Sequence, residues 1–225
     1  MGIAENINGL RSRIAQAARR SGRDPGEITL VAVSKTVGLE AVREAMAAGL
    51  NHFGENRVQE LKFKKGHFPE AHWHMIGRLQ TNKVKDVVGE TVLIHSLDRW
   101  ALAEELERRG ANLEIEVPAL LQVSLAGEEQ KAGVLAADIE PFLKSAGQFK
   151  RLKIMGLMTM APLSEDSEKS RPIFKELHEI YRCYKSRTYH NVDMKHLSMG
   201  MSQDFEIAIE EGATIIRVGT ALFGE

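Results

Sequence analysis

The apolar positions change period several times along the chain. Residues 3–21 place Ile3, Ile7, Leu10, Ile14, Ala17 and Ala18 at helical spacing on an otherwise polar segment, which predicts an amphipathic helix. Ser21-Gly22-Arg23-Asp24-Pro25-Gly26 then breaks the pattern. Residues 28–34 are near-continuous in apolar and β-branched side chains, the mark of a strand buried on both faces. From there strands and helices alternate. A helix over 39–48 stops at Gly49, a short strand covers 52–54, and a helix begins near Asn56. Strand 72–77 leads to a helix near 82–88, and strand 92–96 to a helix over 98–109 that Asp98 caps and Gly110 ends. Strand 118–125 precedes a helix near 134–146, and strand 152–160 a long helix near 166–187. Strand 195–199 precedes a helix over 203–211, and strand 214–218 a short terminal turn.

Strict alternation implies parallel strands. Eight such units predict an α/β chain: a single (β/α)8 TIM barrel with an additional N-terminal helix, one domain over 1–225. An open doubly wound sheet is the weaker alternative, because no glycine-rich dinucleotide fingerprint follows the first strand. The 225 residues are 43% hydrophobic and 27% charged, ordinary for a soluble protein. A net charge of −1 argues against a nucleic-acid partner. The single cysteine, Cys183, permits no intramolecular disulfide and no cysteine zinc site, which points to the cytoplasm. No signal-like leader and no apolar run of about 20 residues is seen, so no membrane association is expected. A monomer is expected.

In such a barrel, reactive side chains sit at the C-terminal ends of the strands. That rule selects Lys35, Asn56, His74, His95, Ser124, Thr159, Ser198 to Ser202 and Arg217 to Thr220. Lys35 ends the most apolar strand. Partial desolvation there favours the neutral amine that a Schiff-base lysine needs. The same position also suits a lysine that simply reaches solvent. Ser198-Met199-Gly200-Met201-Ser202 follows the seventh predicted strand and Val218-Gly219-Thr220 the eighth. Small residues in those two turns form a credible phosphate cup, or ordinary strand-to-helix turns. Arg217 interrupts an apolar strand and needs a partner, either a carboxylate or a pyridine nitrogen. In the second case it would keep that nitrogen unprotonated and the ring a weak electron sink. His72 and His74 share one strand face, but no third ligand stands at telling spacing, so no metal is expected. The methionines near strand ends, Met155, Met158, Met160, Met199 and Met201, read as core filling.

Several long segments are recognisable together. They are Leu30-Val31-Ala32-Val33-Ser34-Lys35-Thr36, His52-Phe53-Gly54-Glu55-Asn56-Arg57-Val58-Gln59-Glu60 and Trp73-His74-Met75-Ile76-Gly77-Arg78-Leu79-Gln80-Thr81-Asn82-Lys83. Further on come Leu157-Met158-Thr159-Met160-Ala161-Pro162, His196-Leu197-Ser198-Met199-Gly200-Met201-Ser202 and Ile216-Arg217-Val218-Gly219-Thr220-Ala221-Leu222-Phe223-Gly224. In order and over nearly the whole chain, they resemble the pyridoxal-phosphate homeostasis family, whose barrel is like the N-terminal domain of alanine racemases. In Leu121-Gln122-Val123-Ser124-Leu125-Ala126, Ser124 stands where the family has Asn, and Arg78 replaces a frequent His. The resemblance implies pyridoxal 5′-phosphate (PLP) as cofactor, held on Lys35 as an internal aldimine. It implies phosphate contacts from Ser198, Met199 and Gly200 and from Gly219 and Thr220, with Arg217 near the pyridine nitrogen. Asn56, His74 and Met160 fall in motifs that line the pocket. The function implied is PLP homeostasis by a carrier or buffer with no turnover of its own, its partners being PLP and apo PLP-dependent enzymes. The alternative is a small PLP enzyme such as an amino-acid racemase. It is disfavoured because Tyr181, Tyr184 and Tyr189 cluster around one helix, away from the strand ends. A barrel that binds a phosphorylated metabolite without PLP is a third reading.

Overall fold

The computed structural model describes residues 2–125, 132–162 and 164–224; Ala126 of the strand-five motif lies outside them. Eight parallel strands close into a barrel. They are β1 (Thr29–Val33), β2 (His52–Glu55), β3 (His72–Met75), β4 (Leu93–Leu97), β5 (Val117–Ser124), β7 (Leu152–Met158), β8 (Val192–Ser198) and β9 (Ile215–Val218). Neighbours in this order pair in parallel, β4 joins β5, and β9 returns to β1 with Val31 opposite Arg217. The extra strand β6 (Val134–Leu135) lies outside the ring, paired with the end of β5.

The helices are α1 (Ile3–Arg20), α2 (Leu39–Ala47), α3 (Val58–His67), α4 (Trp100–Leu113), α5 (Ile139–Ala146), α6 (Arg171–Lys185), α7 (Phe205–Glu210) and α8 (Thr220–Phe223). The expected N-terminal helix is α1. It buries Ile7, Leu10, Ile14, Ala17 and Ala18 against α2, α7 and α8. Arg23 ties its end to the carbonyls of Ile209 and Ala213 at 3.0 and 2.8 Å.

Two apolar cores follow from the pleat. One lies between strands and helices and includes Ala32, Phe53, Trp73, Ile94 and Leu121. The other, Val31, Leu93, Leu120, Met158 and Ile215, fills the barrel interior. Two residues along from these, on the same strand face, are His95, Gln122 and Arg217, all buried. The ring is therefore apolar through part of its depth and polar toward its C-terminal mouth.

Four expected elements are corrected. In place of the helix expected near 82–88 stands a 3-10 segment, Thr81–Asp86, whose one buried residue is Val84; a single buried position makes no apolar face to hold an α-helix on the barrel. Asp98 does not cap α4, because Arg78 and Arg99 occupy its carboxylate and Arg99 takes the cap position. Gly110 lies inside α4, where a Cβ would stand 2.8 Å from Val117 Cγ2; it serves the close approach of β5, and the helix ends later, at Glu114 with φ 56°. The helix expected over 134–146 begins at Ile139, since Val134 and Leu135 pair with β5 instead.

Candidate functional site

A cavity of about 590 Å³ opens at the C-terminal mouth. Its wall includes Val33, Lys35 and Asn56 on one side, Met160 and Arg217 below, and Met201, Ser202, Gly219, Thr220 and Ala221 opposite. The barrel thus gathers Lys35, Asn56, Met160, Arg217, Gly219 and Thr220 from segments far apart in sequence.

Strand β1 ends at Val33, and Ser34 is the last buried residue before a tight turn. Val37 N–H donates to the Ser34 carbonyl at 3.1 Å, and Thr36 adopts φ 65°. Lys35 leaves on this turn and is exposed. The desolvated lysine expected from the apolar run is corrected: the turn carries Lys35 past the end of the buried strand, to an exposed place on the cavity wall. The turn rests on a buried charge cluster absent from the sequence-based candidates. Lys64 Nζ donates to the Ser34 carbonyl at 2.6 Å and to Glu55 Oε1 at 2.8 Å, and Ser34 Oγ donates to the same oxygen at 2.7 Å. Glu55 and Lys64 are essentially inaccessible, and Glu55 Oε2 has no hydrogen-bond partner among the described residues. An apparently ordinary Lys62, Lys64, Lys65 run hid this role, because helix α3 turns Lys64 alone of the three inward.

Arg217 is buried on the cavity floor. It donates to Ser198 Oγ and, from Nη2, to the Thr159 carbonyl at 3.0 Å. No carboxylate pairs with it among the described residues. Burial lowers its pKa to about 10, with the Asp204 charge acting the other way.

Two backbone donors stand at the opposite wall. Gly219 N–H and Ala221 N–H both donate to Ser202 Oγ at 3.3 Å. One oxygen thus bridges two amides at the start of α8, the position an anionic oxygen would take. The wall here is built from Met201 and Ser202, not from Ser198, Met199 and Gly200, which lie behind it. Met199 is in the outer core. Gly200 turns at φ 91°, where a Cβ would meet the Ala208 Cβ at 2.5 Å. Its carbonyl accepts from Arg217 N–H at 3.0 Å. The start of α7 is closed by Asp204, whose Oδ1 takes Met201 N–H at 2.7 Å and whose Oδ2 takes Ser170 Oγ at 3.0 Å. Ser202 closes the turn that the sequence offered as half of a phosphate cup, and it is this residue, beyond the Ser198 to Gly200 contacts that the resemblance implies, that meets the two amides.

His74 does not line the cavity. It is buried within the ring, hydrogen-bonded to His52 and His95 at 2.9 Å each. Ser124 ends β5 beside β6, also outside the cavity wall. No group of three metal-ligating side chains is found among the described residues, and no helix among them is long and apolar enough to cross a membrane. Of the tyrosines, Tyr181 donates to the Met194 carbonyl at 2.8 Å while Tyr184 packs against Tyr189, and none lines the cavity.

The buried imidazoles carry a pH signature. Burial lowers the His74 pKa from 6.5 to about 3, helped by the charges of His52, His72 and His196. His95 is lowered well below its ordinary value, first by burial and then by His74, Arg217 and His196. The unfolded chain binds a proton near 6.5 that the folded chain refuses until about 3. Stability is therefore complete above the unfolded value and falls as pH drops through this window. Between about pH 7 and about pH 5, His74 alone removes roughly 2 kcal/mol, and His95 acts in the same direction. Lowered carboxylates such as Glu107 lose their contribution only below 4.5, so this interval isolates the histidines. Urea midpoints at the two pH values test it; an equal midpoint would contradict burial of neutral imidazoles.

The arrangement belongs to a known class of barrel. Residues 6–225 match the family model described as the N-terminal domain of alanine racemase. A relative in Aquifex aeolicus named pyridoxal phosphate homeostasis protein is 45% identical over 227 residues, covering 100% of this chain and 99% of that one. PipY of Synechococcus elongatus PCC7942, solved with PLP bound, is 38% identical with a TM-score of 0.85, covering 99% of this chain and 100% of that one. Its structure without PLP is 40% identical with a TM-score of 0.87 over the same shares. The chain belongs to the pyridoxal phosphate homeostasis protein family.

Proposed function

We propose that the chain binds PLP in this cavity, captures it covalently on Lys35, and serves PLP homeostasis as a carrier or buffer without substrate turnover. The observation that carries this reading is the convergence, on one cavity, of an exposed amine, a buried guanidinium with no carboxylate partner among the described residues, and two backbone N–H groups. The set fits the cofactor. The volume lies in the range of cofactor sites. Lys35 would take the aldehyde. Gly219, Thr220, Ala221 and Ser202 would hold the phosphate, with Gly200 and Met199 shaping the turn behind. Arg217 would face the pyridine nitrogen, backed by Ser198. Asn56 and Met160 would flank the ring, and His74 would act only from behind. When bound, PLP supplies a reactive carbonyl and a visible chromophore.

Lack of turnover is supported by what surrounds the cavity. Proton transfer on two faces of a substrate needs a second positioned acid or base. The tyrosine hydroxyls lie elsewhere, and both oxygens of Asp204 are engaged. The 1–225 chain would act as one domain, as a monomer in the cytoplasm, passing PLP to apo PLP-dependent enzymes, with neither nucleic acid nor membrane as partner. Stereospecific turnover above that of free PLP would instead favour a small amino-acid racemase.

The test is a visible spectrum of the protein with PLP, before and after borohydride, followed by peptide mapping. A chromophore reduced onto the Lys35 peptide is expected. No chromophore, or label spread over surface lysines, would overturn the reading. Arg217→Ala should speed PLP release by about ten- to a hundredfold, the scale of a lost charged hydrogen bond. An unchanged release rate in gel filtration would remove Arg217 from the site.

A further inference from the structure

Three imidazoles and a hydroxyl stand end to end through the barrel interior. His52 Nδ1 lies 2.9 Å from His74 Nε2. His74 Nδ1 lies 2.9 Å from His95 Nε2. His95 Nδ1 lies 3.0 Å from Ser198 Oγ, which accepts from Arg217 Nη1. The row begins at His52, half-buried at the start of β2 on the N-terminal end of the barrel. It finishes at Ser198 and Arg217, behind and on the floor of the cavity. Barrel interiors are ordinarily filled by apolar layers. A polar row there costs desolvation unless every donor meets an acceptor.

Counting protons gives the row a direction. At rest Arg217 is a guanidinium, all donors and no acceptor, so Ser198 Oγ accepts from it. If Ser198 passes its own proton to His95 Nδ1, then His95 donates from Nε2 to His74 Nδ1. His74 in turn donates from Nε2 to His52 Nδ1. Every atom in the row then has a partner, and His95 and His74 are both neutral Nε2–H tautomers. In the reverse order, Ser198 accepts twice and its hydroxyl proton finds no acceptor among the described residues. That choice costs a buried unsatisfied donor.

We propose that His52, His74, His95 and Ser198 form a proton relay joining solvent at the N-terminal end of the barrel to Arg217 on the cavity floor. In one passage the Ser198 O–H bond breaks as His95 Nδ1–H forms. His95 Nε2–H then breaks as His74 Nδ1–H forms, and His74 Nε2–H breaks as His52 Nδ1–H forms. His52 releases its Nε2 proton to water at the far end. Ser198 recovers a proton from Arg217 Nη1, and the guanidine takes one from water in the cavity. One proton leaves the cavity for each one released below, no electrons are exchanged, and the row, left as Nδ1–H tautomers, is restored when a proton taken up at His52 Nε2 runs back along the same bonds. The lowered pKa of Arg217 eases the last exchange. The imidazoles stay neutral because burial acts first on all three, with added repulsion from His72 at His52, from His52, His72 and His196 at His74, and from His74, Arg217 and His196 at His95. Other titratable groups facing the row are His72 beside His52, His196 near His74 and His95, and Asp204 toward Arg217.

The relay deepens the proposed site but does not need PLP to be read. In the full chain labelled with 15N-histidine and without added PLP, two-bond 15N–1H correlations should show Nε2–H tautomers at His74 and His95. Scalar couplings should cross both imidazole pairs. An Nδ1–H tautomer or a cation at either residue, or absent couplings, would overturn the proposal in the native chain itself. His52→Phe removes the terminal acceptor. His95, which His52 does not touch, should then shift from one tautomer to a mixed population. His52→Gln supplies a carbonyl acceptor and should restore the single tautomer. An unchanged His95 in His52→Phe would mean separate hydrogen bonds and no relay. The borohydride test is independent: a missing chromophore leaves the relay standing, and reversed tautomers leave the PLP site standing.

Discussion

Lys35→Ala abolishes borohydride-stable capture of PLP and leaves the barrel folded. The two halves of this expectation have separate causes. Lys35 is the one lysine on the cavity wall among the described residues, so its loss removes the only amine there. It is also exposed and lies beyond the end of β1. Exposed substitutions away from structural contacts typically change stability by about 0.5 kcal/mol or less. Mass spectrometry after reduction should show no adduct, while the thermal midpoint stays near that of the parent. An adduct that persists in this variant would take the covalent role away from Lys35.

Lys64→Met destabilises the chain far more. Glu55 would keep a buried negative charge with no cation, and removing one partner of such a pair costs roughly 3–5 kcal/mol. The Ser34 carbonyl would lose its donor at the same time, freeing the turn that presents Lys35. PLP capture should therefore slow in this variant even under conditions where it remains folded. The double variant, Glu55→Gln with Lys64→Met, removes the charge as well and should recover most of the loss. Urea midpoints of the two variants decide the matter. Equal midpoints for Lys64→Met and the parent would show that the pair does not hold this end of the barrel.

The two variants mark different depths of legibility. Lys35 stands out in a linear reading because an apolar strand ends on it. Lys64 does not, because one inward lysine in a basic run looks like its solvated neighbours. The cup was half legible for a similar reason. Gly219 and Thr220 adjoin a strand end and reach the cavity. Ser198 adjoins one too, yet turns inward to Arg217, and Ser202 takes the outer position. His74 and His95 were selected as strand-end polar groups. Only the closure of the ring showed them touching each other instead of a ligand.

Sequence by itself determined the alternation of strands and helices, hence the parallel barrel, the N-terminal helix, and Lys35, Asn56, Arg217, Gly219 and Thr220 as strand-end neighbours; Met160, which reads locally as core filling, is exposed on the cavity wall and was pointed to only by the family resemblance. Those features are carried by local periodicity and by turns next to strands, which a linear pattern records. Tertiary structure alone decided the exposure of Lys35, the burial of the Glu55–Lys64 pair, the bridging place of Ser202 and the histidine row. Each depends on which distant strands become adjacent when β9 closes on β1 and β4 on β5. Adjacency of that kind sets desolvation and hydrogen-bond partners, and no local period encodes it.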